Sequence, residues 1–331
     1  MEALAVAHPN IALVKYWGKR DSALNLPREG SLSLTLAGME SVTHVAFDGA
    51  FAADELVLGG NPAPEASLRK ARRILDEVRR RAGGRLAALH ARVESRNDFP
   101  TGAGLASSAS GFAALACAAA GAAGLDLSPA ELSVLARLGS GSACRSVLGG
   151  FVEWKRGERA DGTDSHAIAV APRDHWDVVM LVAVVAEGPK GVSSTEGMER
   201  TRRTSPYYEP FLGSIPADLD AARAAVVARD LDALGVVMER NCLRMHAAML
   251  AAEPALIYLR GGSLAVIERV GQLRSAGARA YFTIDAGPNV KVLCERAGAD
   301  AVESALAAVP GVARVIRALP GGGARVVDPL A

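Results

Sequence analysis

The stretch FPTGAGLASSASG, residues 99–111, has the composition of a glycine-rich loop that opens a helix. Gly102 and Gly104 let the backbone turn its N–H groups outward, and the serine pair Ser107 and Ser108 follows. The amino end of a helix carries about half a positive elementary charge, so this junction suits a phosphate. The alternative is an ordinary packing helix, because the stretch matches neither a Walker loop nor a dinucleotide fingerprint. From this stretch alone, the two interpretations are equally supported.

The composition limits what can hold an anion. The chain has 331 residues, enough for one large or two ordinary domains. Its 37 basic and 36 acidic residues leave a formal net charge of +1. No global field therefore directs the protein to nucleic acid or to an acidic membrane. Any bound anion must be held by a local cluster.

The four cysteines, Cys117, Cys144, Cys242 and Cys294, show no C-x-x-C pair and no zinc-ligand spacing. We expect buried thiols in a reducing cytoplasm. The first residues lack the basic and apolar regions of a signal peptide, and no stretch approaches about 18 uninterrupted apolar residues. These features predict a cytoplasmic protein with no membrane partner.

Periodicity predicts strands and helices in both halves of the chain. In the first half, strands are expected at 11–14, 31–36, 42–47, 55–58, 89–95, 151–154 and 176–185, and helices at 67–81, 109–123 and 129–139. The strand at 31–36 alternates polar and apolar residues, which predicts burial of one face, and those at 42–47 and 55–58 are expected to be antiparallel. In the second half, helices are expected at 218–229, 231–253, 262–276 and 299–308, and strands at 278–284, 290–295, 312–316 and 325–327 in one sheet. A polar stretch at 188–197 predicts a connection between two domains, 1–186 and 187–331.

Two cationic motifs have both a functional and an ordinary explanation. Residues 15–21 place two lysines and an arginine among aromatic residues at a strand end, as an anion site or a solvated turn would. Arg145 lies in the small-residue turn 139–146, where it could grip a carboxylate or phosphate or serve only structure. Arginines of the helix at 67–81 are expected to form a solvated face, since no aromatic residue accompanies them for nucleic-acid stacking. Asp285 follows a strand, in a segment typical of a turn.

Six motifs together resemble those of mevalonate diphosphate decarboxylases, a family of the GHMP-kinase superfamily. They occur in the family's order and span nearly the whole chain, at residues 10–33, 99–111, 139–154, 192–198, 241–246 and 284–289. The resemblance implies an α+β, two-lobed GHMP-kinase fold, with an N-terminal ribosomal-S5-like α/β lobe and a C-terminal ferredoxin-like lobe. It places the active site in the cleft between the lobes. Family members are often homodimers, which implies the same here.

The resemblance also implies a reaction. ATP phosphorylates the tertiary hydroxyl of mevalonate 5-diphosphate, and phosphate and carbon dioxide then leave to give isopentenyl diphosphate. Asp285 matches the catalytic aspartate that accepts or holds the hydroxyl proton, and Lys15 matches the lysine that keeps it ionised. Arg145 would hold the substrate carboxylate, with Asn10 orienting the same end.

Further roles are carried over from the matching motifs. The expected substrate-binding residues, besides Arg145, are Tyr16, Lys19, Ser140 and Ser142. The expected ATP-binding residues are Pro100, Gly102, Ala103, Gly104, Leu105, Ala106, Ser107, Ser108 and Ser193. Magnesium is expected to arrive with ATP and to face Ser107 or Ser108.

Two departures from the family pattern concern substrate preference. Glu29-Gly30 replaces a common asparagine-serine pair, which adds a negative charge near expected phosphates, and His8-Pro9 is also unusual. One alternative is therefore a relative that decarboxylates mevalonate monophosphate or only phosphorylates the hydroxyl. Another is a nucleotide-binding regulatory protein without turnover. Such a protein would be expected to lack a catalytic residue, and none of the expected ones is missing.

Overall fold

The computed structural model describes residues 1–99, 107–188 and 191–328. Its largest sheet has the strand order β16-β1-β6-β9-β7-β8. These strands are β1 (Glu2–Ala7), β6 (Ser41–Asp48), β7 (Glu55–Leu58), β8 (Asn61–Pro62), β9 (His90–Asn97) and β16 (Arg325–Val327). Strand β7 pairs antiparallel with β8, as expected, but parallel with β9. The antiparallel expectation is wrong for the second pairing, because α1 (Glu65–Ala82) follows β8 and returns the chain before β9.

The largest sheet is covered by α1, α2 (Ser107–Ala122) and α3 (Pro129–Gly139). Helix α1 buries Ala71, Ile74, Leu75 and Val78, the face that its periodicity predicts. The alanines of α2 are buried around almost its whole circumference, because it packs on β1 and β6 as well as on α3. A capping box of Ser128 and Glu131 starts α3.

A second sheet has the order β11-β10-β5-β2, with β2 (Asn10–Val14), β5 (Ser31–Thr35), β10 (Phe151–Trp154) and β11 (Ala167–Ala171). Both faces of β5 are buried, so the expected half-buried strand is wrong. Its hydroxyls are used inside the protein. Thr35 Oγ1 donates to the Leu148 carbonyl at 2.9 Å, and Ser31 Oγ accepts a hydrogen bond from Arg145.

The third sheet has the order β13-β14-β12-β15, with β12 (Val178–Val184), β13 (Ala280–Ile284), β14 (Val290–Glu295) and β15 (Arg314–Ala318). Strand β12 is buried on both faces. Val179 and Leu181 pack with α8 (Gly261–Ser275) and α9 (Ala299–Ala307), and Met180 and Val182 join the cluster that includes α6 (Tyr208–Ala228) and α7 (Leu231–Leu250). The expectation that 312–316 and 325–327 close one sheet is wrong, because β15 and β16 lie in different sheets.

The remaining elements are the ribbon β3 (Lys19–Asp21) with β4 (Leu26–Pro27), and the helices α4 (Ala143–Ser146) and α5 (Ser194–Thr204). Periodicity does not predict this ribbon or these two helices, and it does not predict β1, β8 and β11. In the described part of the chain, no helix is both long enough and apolar enough to cross a bilayer.

Strand pairing crosses the predicted domain boundary at residues 186 and 187. Strand β12 lies before it but pairs with β14 and β15, while β16 returns to pair with β1. We propose that the second lobe begins at β12 and that residues 325–327 belong to the first. One apolar cluster joins β2 and β5 to α6, α7 and β12, so the lobes share a core.

Candidate active site

A cleft of about 490 Å³ opens where β2 ends. Both halves of the chain contribute to its lining, and polar and basic side chains outnumber acidic ones. Among the described residues, Asp285 is the carboxylate that lines it. The other lining residues include Asn10, Lys15, Tyr16, Trp17, Lys19, Asn25, Lys70, Ser108, Ser140, Ser142, Arg145, Ser193, Thr195 and Met245.

At the floor of the cleft, Asp285 lies between two ammonium groups. Lys15 Nζ donates to Asp285 Oδ1 at 2.7 Å, and Lys291 Nζ lies 3.1 Å from Oδ2. The two lysines are 1% and 0% exposed, whereas the Asp285 side chain is 27% exposed and faces the cleft. Burial alone would raise the pKa of Asp285, but Lys15 and Lys291 outweigh it and hold that pKa far below its usual range. Asp285 is therefore ionised throughout the neutral range.

The backbone that carries Asp285 is held by α7. The carbonyl of Ile284 accepts hydrogen bonds from Cys242 Sγ at 3.4 Å and from His246 Nε2 at 3.3 Å. The Ile284 N–H in turn donates to Cys242 Sγ at 3.1 Å. Burial, with Lys15 nearby, lowers the pKa of His246 to about 4. The imidazole is thus neutral, with its Nε2 proton directed at the carbonyl.

The same helix fixes Lys15. The Lys15 backbone N–H donates to Asn241 Oδ1 at 2.8 Å, and Asn241 Nδ2 donates to Asp218 Oδ2 at 2.9 Å. The Lys15 ammonium also donates to the Ala12 carbonyl at 2.9 Å. Consecutive residues of α7, Asn241 and Cys242, therefore position the two members of the Lys15–Asp285 pair.

Arg145 is a buried cation without a carboxylate partner. Its Nε donates to Asn10 Oδ1 at 3.1 Å, and Nη1 donates to Ser31 Oγ at 2.7 Å. Within the described ranges, no carboxylate oxygen lies within 4.0 Å of the 3%-exposed guanidinium, which borders the cleft. Burial lowers the pKa of Arg145, while nearby Asp285 acts in the opposite direction. This arrangement leaves a desolvated positive charge available to an anion.

Arg137 provides an internal comparison. It is also fully buried, but its guanidinium donates to the backbone carbonyls of Leu24, Gly162 and Ser165. Arg137 does not line the cleft and its role is structural. Arg137 is thus an example of a structural buried arginine in this protein, and the role of Arg145 stays a prediction.

Tyr16 and the turn 139–142 form one wall. The Tyr16 hydroxyl is buried and finds no hydrogen-bond partner among the described residues. The Tyr16 ring packs edge-on against Trp154, with centroids 4.7 Å apart. Ser140 and Ser142 lie beside it, with their Oγ atoms 3.4 Å apart, and the Ser142 carbonyl accepts from Asn10 Nδ2. Tyr16 lines the cleft, so its hydroxyl is a candidate partner for a ligand oxygen.

A second cationic group lies at the mouth. Lys19 Nζ donates to Asn25 Oδ1 at 2.7 Å, with Lys70 and Arg73 nearby. Burial, with repulsion from Lys70 and Arg73, lowers the pKa of Lys19 to about 8. Within the described residues, no carboxylate pairs with Lys19 or Lys70. The mouth therefore also favours an anion.

The structure describes only some of the expected ATP-binding residues. Pro100, Gly102, Ala103, Gly104, Leu105 and Ala106 lie outside the described residues. Ser107 and Ser108 form the first turn of α2, and Ser108 borders the cleft. Ser193 also borders it, and its hydroxyl caps α5 by accepting from the Glu196 N–H at 3.2 Å. The roles assigned to these residues remain predictions.

Two family models match almost the whole chain. One, the diphosphomevalonate decarboxylase-like N-terminal domain, covers residues 7–167, and the other, the mevalonate 5-diphosphate decarboxylase C-terminal domain, covers 180–318. The chain belongs to the mevalonate diphosphate decarboxylase family.

Known relatives agree with this membership. A diphosphomevalonate decarboxylase of Ganoderma lucidum is 42% identical over 310 residues, covering 88% of this chain and 78% of the relative. The crystal structure of mevalonate diphosphate decarboxylase from Staphylococcus aureus is 40% identical, with a TM-score of 0.92 over 99% of this chain and 98% of that one. A structure of MDDEF in complex with MVAPP, AMPPCP and magnesium is 41% identical, with a TM-score of 0.90 and 99% coverage of both chains. The predicted α+β, two-lobed fold is confirmed.

Glu29, the departure from the mevalonate diphosphate decarboxylase pattern, does not line the main cleft. It lies in a neighbouring surface pocket with Arg28 and Arg156. Burial raises the pKa of Glu29, and the two arginines counteract this. The added carboxylate is therefore partly neutralised outside the cleft.

Sequence reasoning missed Lys291, Lys70 and Asn25. The sequence could have indicated Lys291, since a lone lysine inside the apolar strand VKVLCE needs a buried partner. Lys70 lay among helix charges expected to be solvated, and its position at the cleft depends on how α1 packs. Asn25 belongs to a short loop whose turn places its amide beside Lys19.

Proposed function

We propose that this chain catalyses the ATP-dependent decarboxylation of mevalonate 5-diphosphate to isopentenyl diphosphate, with release of ADP, phosphate and carbon dioxide. The observation that carries the proposal is one cleft with an ionised Asp285 held by Lys15 and, separately, the guanidinium of Arg145, which has no carboxylate partner among the described residues. Decarboxylation with loss of a neighbouring phosphate needs both features. One group must orient a hindered hydroxyl, and another must hold a carboxylate.

Asp285 and Lys15 serve the phosphoryl transfer. The Asp285 carboxylate accepts a hydrogen bond from the tertiary hydroxyl and directs its oxygen at the terminal phosphoryl group of ATP. Since this kind of transition state is loose, the proton leaves late and little base strength is needed. Lys15 neutralises negative charge that develops on the transferred group.

Arg145 and Asn10 serve the second step. The guanidinium holds the substrate carboxylate so that the bond to carbon dioxide lies opposite the departing phosphate. The electron pair of the broken carbon–carbon bond forms the new double bond as phosphate takes the carbon–oxygen pair. Ser142 supports Asn10, and we assign the diphosphate to Tyr16, Lys19 and Ser140.

We assign ATP to Pro100, residues 102–108 and Ser193. The described residues contain no cluster of three or more His, Cys, Asp or Glu side chains that could hold a metal ion. We assign magnesium to the phosphate oxygens of ATP and to water, with Ser107 or Ser108 as the protein ligand. When bound, the ion would neutralise phosphate charge during transfer.

An ADP-release assay with carbon dioxide detection tests the proposed reaction. Mevalonate, its 5-phosphate and its 5-diphosphate are compared with ATP and magnesium. We expect equal yields of ADP and carbon dioxide with the diphosphate, and far lower rates with the other two. ADP without carbon dioxide would identify a kinase, preference for the monophosphate would identify the alternative substrate, and nucleotide binding without turnover would favour a regulatory protein.

We also propose that the protein is a cytoplasmic homodimer. The four cysteines are free and buried, which suits a reducing compartment. Val236, Leu243 and Leu250 form an exposed row on α7, at 55%, 48% and 45% exposure. The row is symmetric about Leu243, so an antiparallel second copy would match it residue for residue. Light scattering should give the mass of a dimer, and Leu243→Glu should give a monomer; a monomeric wild type would refute the assignment.

A further inference from the structure

Lys291 is a fully buried ammonium in the middle of an apolar strand. It is 0% exposed, between Val290 and Val292 of β14. Its Nζ donates to the Asn289 carbonyl at 3.2 Å and lies 3.1 Å from Asp285 Oδ2. In the described part of the chain, no other carboxylate lies within 4.0 Å of it. Lys291 does not line the cleft, because Asp285 lies between them.

Stability does not explain this residue. Removing an ammonium from water costs several kcal/mol, and replacing a buried charge with an apolar side chain is often neutral or stabilising. The neighbours Val290, Val292 and Leu293 are all apolar and fully buried. An apolar side chain would therefore suit this strand at least as well.

The geometry gives Lys291 a specific effect on Asp285. Lys15 occupies one carboxylate oxygen and Lys291 the other, so the plane of the carboxylate is fixed from two sides. Without Lys291, the Lys15–Asp285 pair would be neutral, and the carboxylate of Asp285 would be held by a cation at only one of its two oxygens. With it, the floor of the cleft keeps a net positive charge for an anionic ligand.

We propose that Lys291 is a positioning residue for the phosphoryl transfer: from Oδ2 it holds the carboxylate of Asp285 ionised and oriented, while Lys15, bound to Oδ1, lies at the cleft where it can meet the transferred group. This inference rests on the proposed function. The charged and titratable groups around Asp285 are Lys15, Lys291, Arg145, Cys242 and His246. Lys291 is the cation on the side of the carboxylate away from the cleft.

The direction of titration agrees with this geometry. Burial favours the protonated carboxyl, whereas Lys15 and Lys291 lower its pKa. Burial also lowers the pKa of Lys291, which Asp285 counteracts. Loss of one cation from a carboxylate typically raises its pKa by about one to three units.

The test compares Lys291→Met with Leu293→Met, a change of similar volume on the same strand that removes no charge. We expect Lys291→Met to lower kcat about tenfold to hundredfold, with KM for both substrates within about threefold. The acidic limb of the kcat profile should move up by about one pH unit or more. Leu293→Met should leave both unchanged.

A second variant and a second readout separate the possible failures. Lys291→Gln keeps a hydrogen-bond donor without the charge and should shift the pH profile like Lys291→Met. The carbon-13 resonance of the Asp285 carboxyl, assigned with Asp285→Asn, should titrate at higher pH in both variants, whether or not mevalonate 5-diphosphate is the substrate. An unchanged resonance and profile in folded variants would overturn the proposal, as would rescue of both by Gln. An inactive wild type with a shifted resonance would instead refute only the proposed function.

Discussion

Lys15 and Asp285 are 270 residues apart in the chain, yet Lys15 Nζ lies 2.7 Å from Asp285 Oδ1. The lysine follows β2 in the first lobe, and the aspartate follows β13 in the second. The site therefore forms only when the lobes pack together, and α7 contacts both strands to hold them in place.

Asp285→Asn is expected to reduce turnover by at least about a thousandfold while ATP still binds, because the neutral amide cannot replace the carboxylate. Its free energy of unfolding should also fall by about 3–5 kcal/mol, since two buried ammonium groups lose their shared anion. ADP release, nucleotide titration and denaturant unfolding measure the three effects. The double variant Asp285→Asn with Lys291→Met should recover part of the stability and none of the activity. Normal turnover in Asp285→Asn would contradict its proposed role.

Arg145→Lys is expected to lower kcat by about a hundredfold or more, because an ammonium cannot form the planar fork with a carboxylate. Arg137→Lys is the matched control, since Arg137 is equally buried but donates to backbone carbonyls. It should lower the melting temperature and leave kcat per folded molecule near normal. Steady-state kinetics on folded samples checks both. Similar kinetic losses in the two variants would assign Arg145 a structural role.

The proposed diphosphate contact predicts a basic limit to activity. The pKa of Lys19 is lowered to about 8 by burial and by its cationic neighbours, so the ammonium loses its charge as pH rises past this value. We expect kcat/KM for the diphosphate to fall above about pH 8. Lys19→Arg keeps its charge and should move this limb to higher pH. An identical limb in the variant would show that another group causes it.

His246 predicts acid sensitivity of the fold. Its pKa is near 4 in the folded protein and about 6.5 in an unfolded chain, so the unfolded state binds more protons between these values. Its contribution is complete above pH 6.5 and decreases as pH falls, by about 3 kcal/mol on reaching pH 4. His246→Gln retains a donor for Ile284 without titrating. Denaturant unfolding from pH 7 to 4.5 should give a flatter dependence for this variant, and an equal slope would contradict the assignment.

Local patterns predict much of the fold. Helix α3 spans the predicted residues 129–139, and α1 buries the residues that its periodicity selects. Contacts between segments that are far apart in the sequence are harder to predict from local patterns. The residues of β7 give no sign of a parallel neighbour. Strand β5 looks half-buried because the hydrogen-bond partners of its hydroxyls, the Leu148 carbonyl and the Arg145 guanidinium, lie more than a hundred residues away.

The residues of the candidate site also fall into two groups, those that motifs predict and those that only the packing reveals. Lys15, Arg145 and Asp285 lie within motifs, so the resemblance could assign them roles before any geometry was known. Lys291 and Lys70 take their significance from the positions of β14 and α1 in the packed protein. The contrast between Arg145 and Arg137 likewise depends on their acceptors, which no local pattern encodes.

The return of β16 to the first sheet sets an order for synthesis on the ribosome. Strand β1 is made before the second lobe, but its outer neighbour, Arg325–Val327, is made only after that lobe. Until then, one edge of β1 has unpaired N–H and C=O groups. While the second lobe is being made, the nascent first lobe therefore exposes an unpaired edge of β1. A chaperone or the strand of a neighbouring nascent chain can bind this edge during that period.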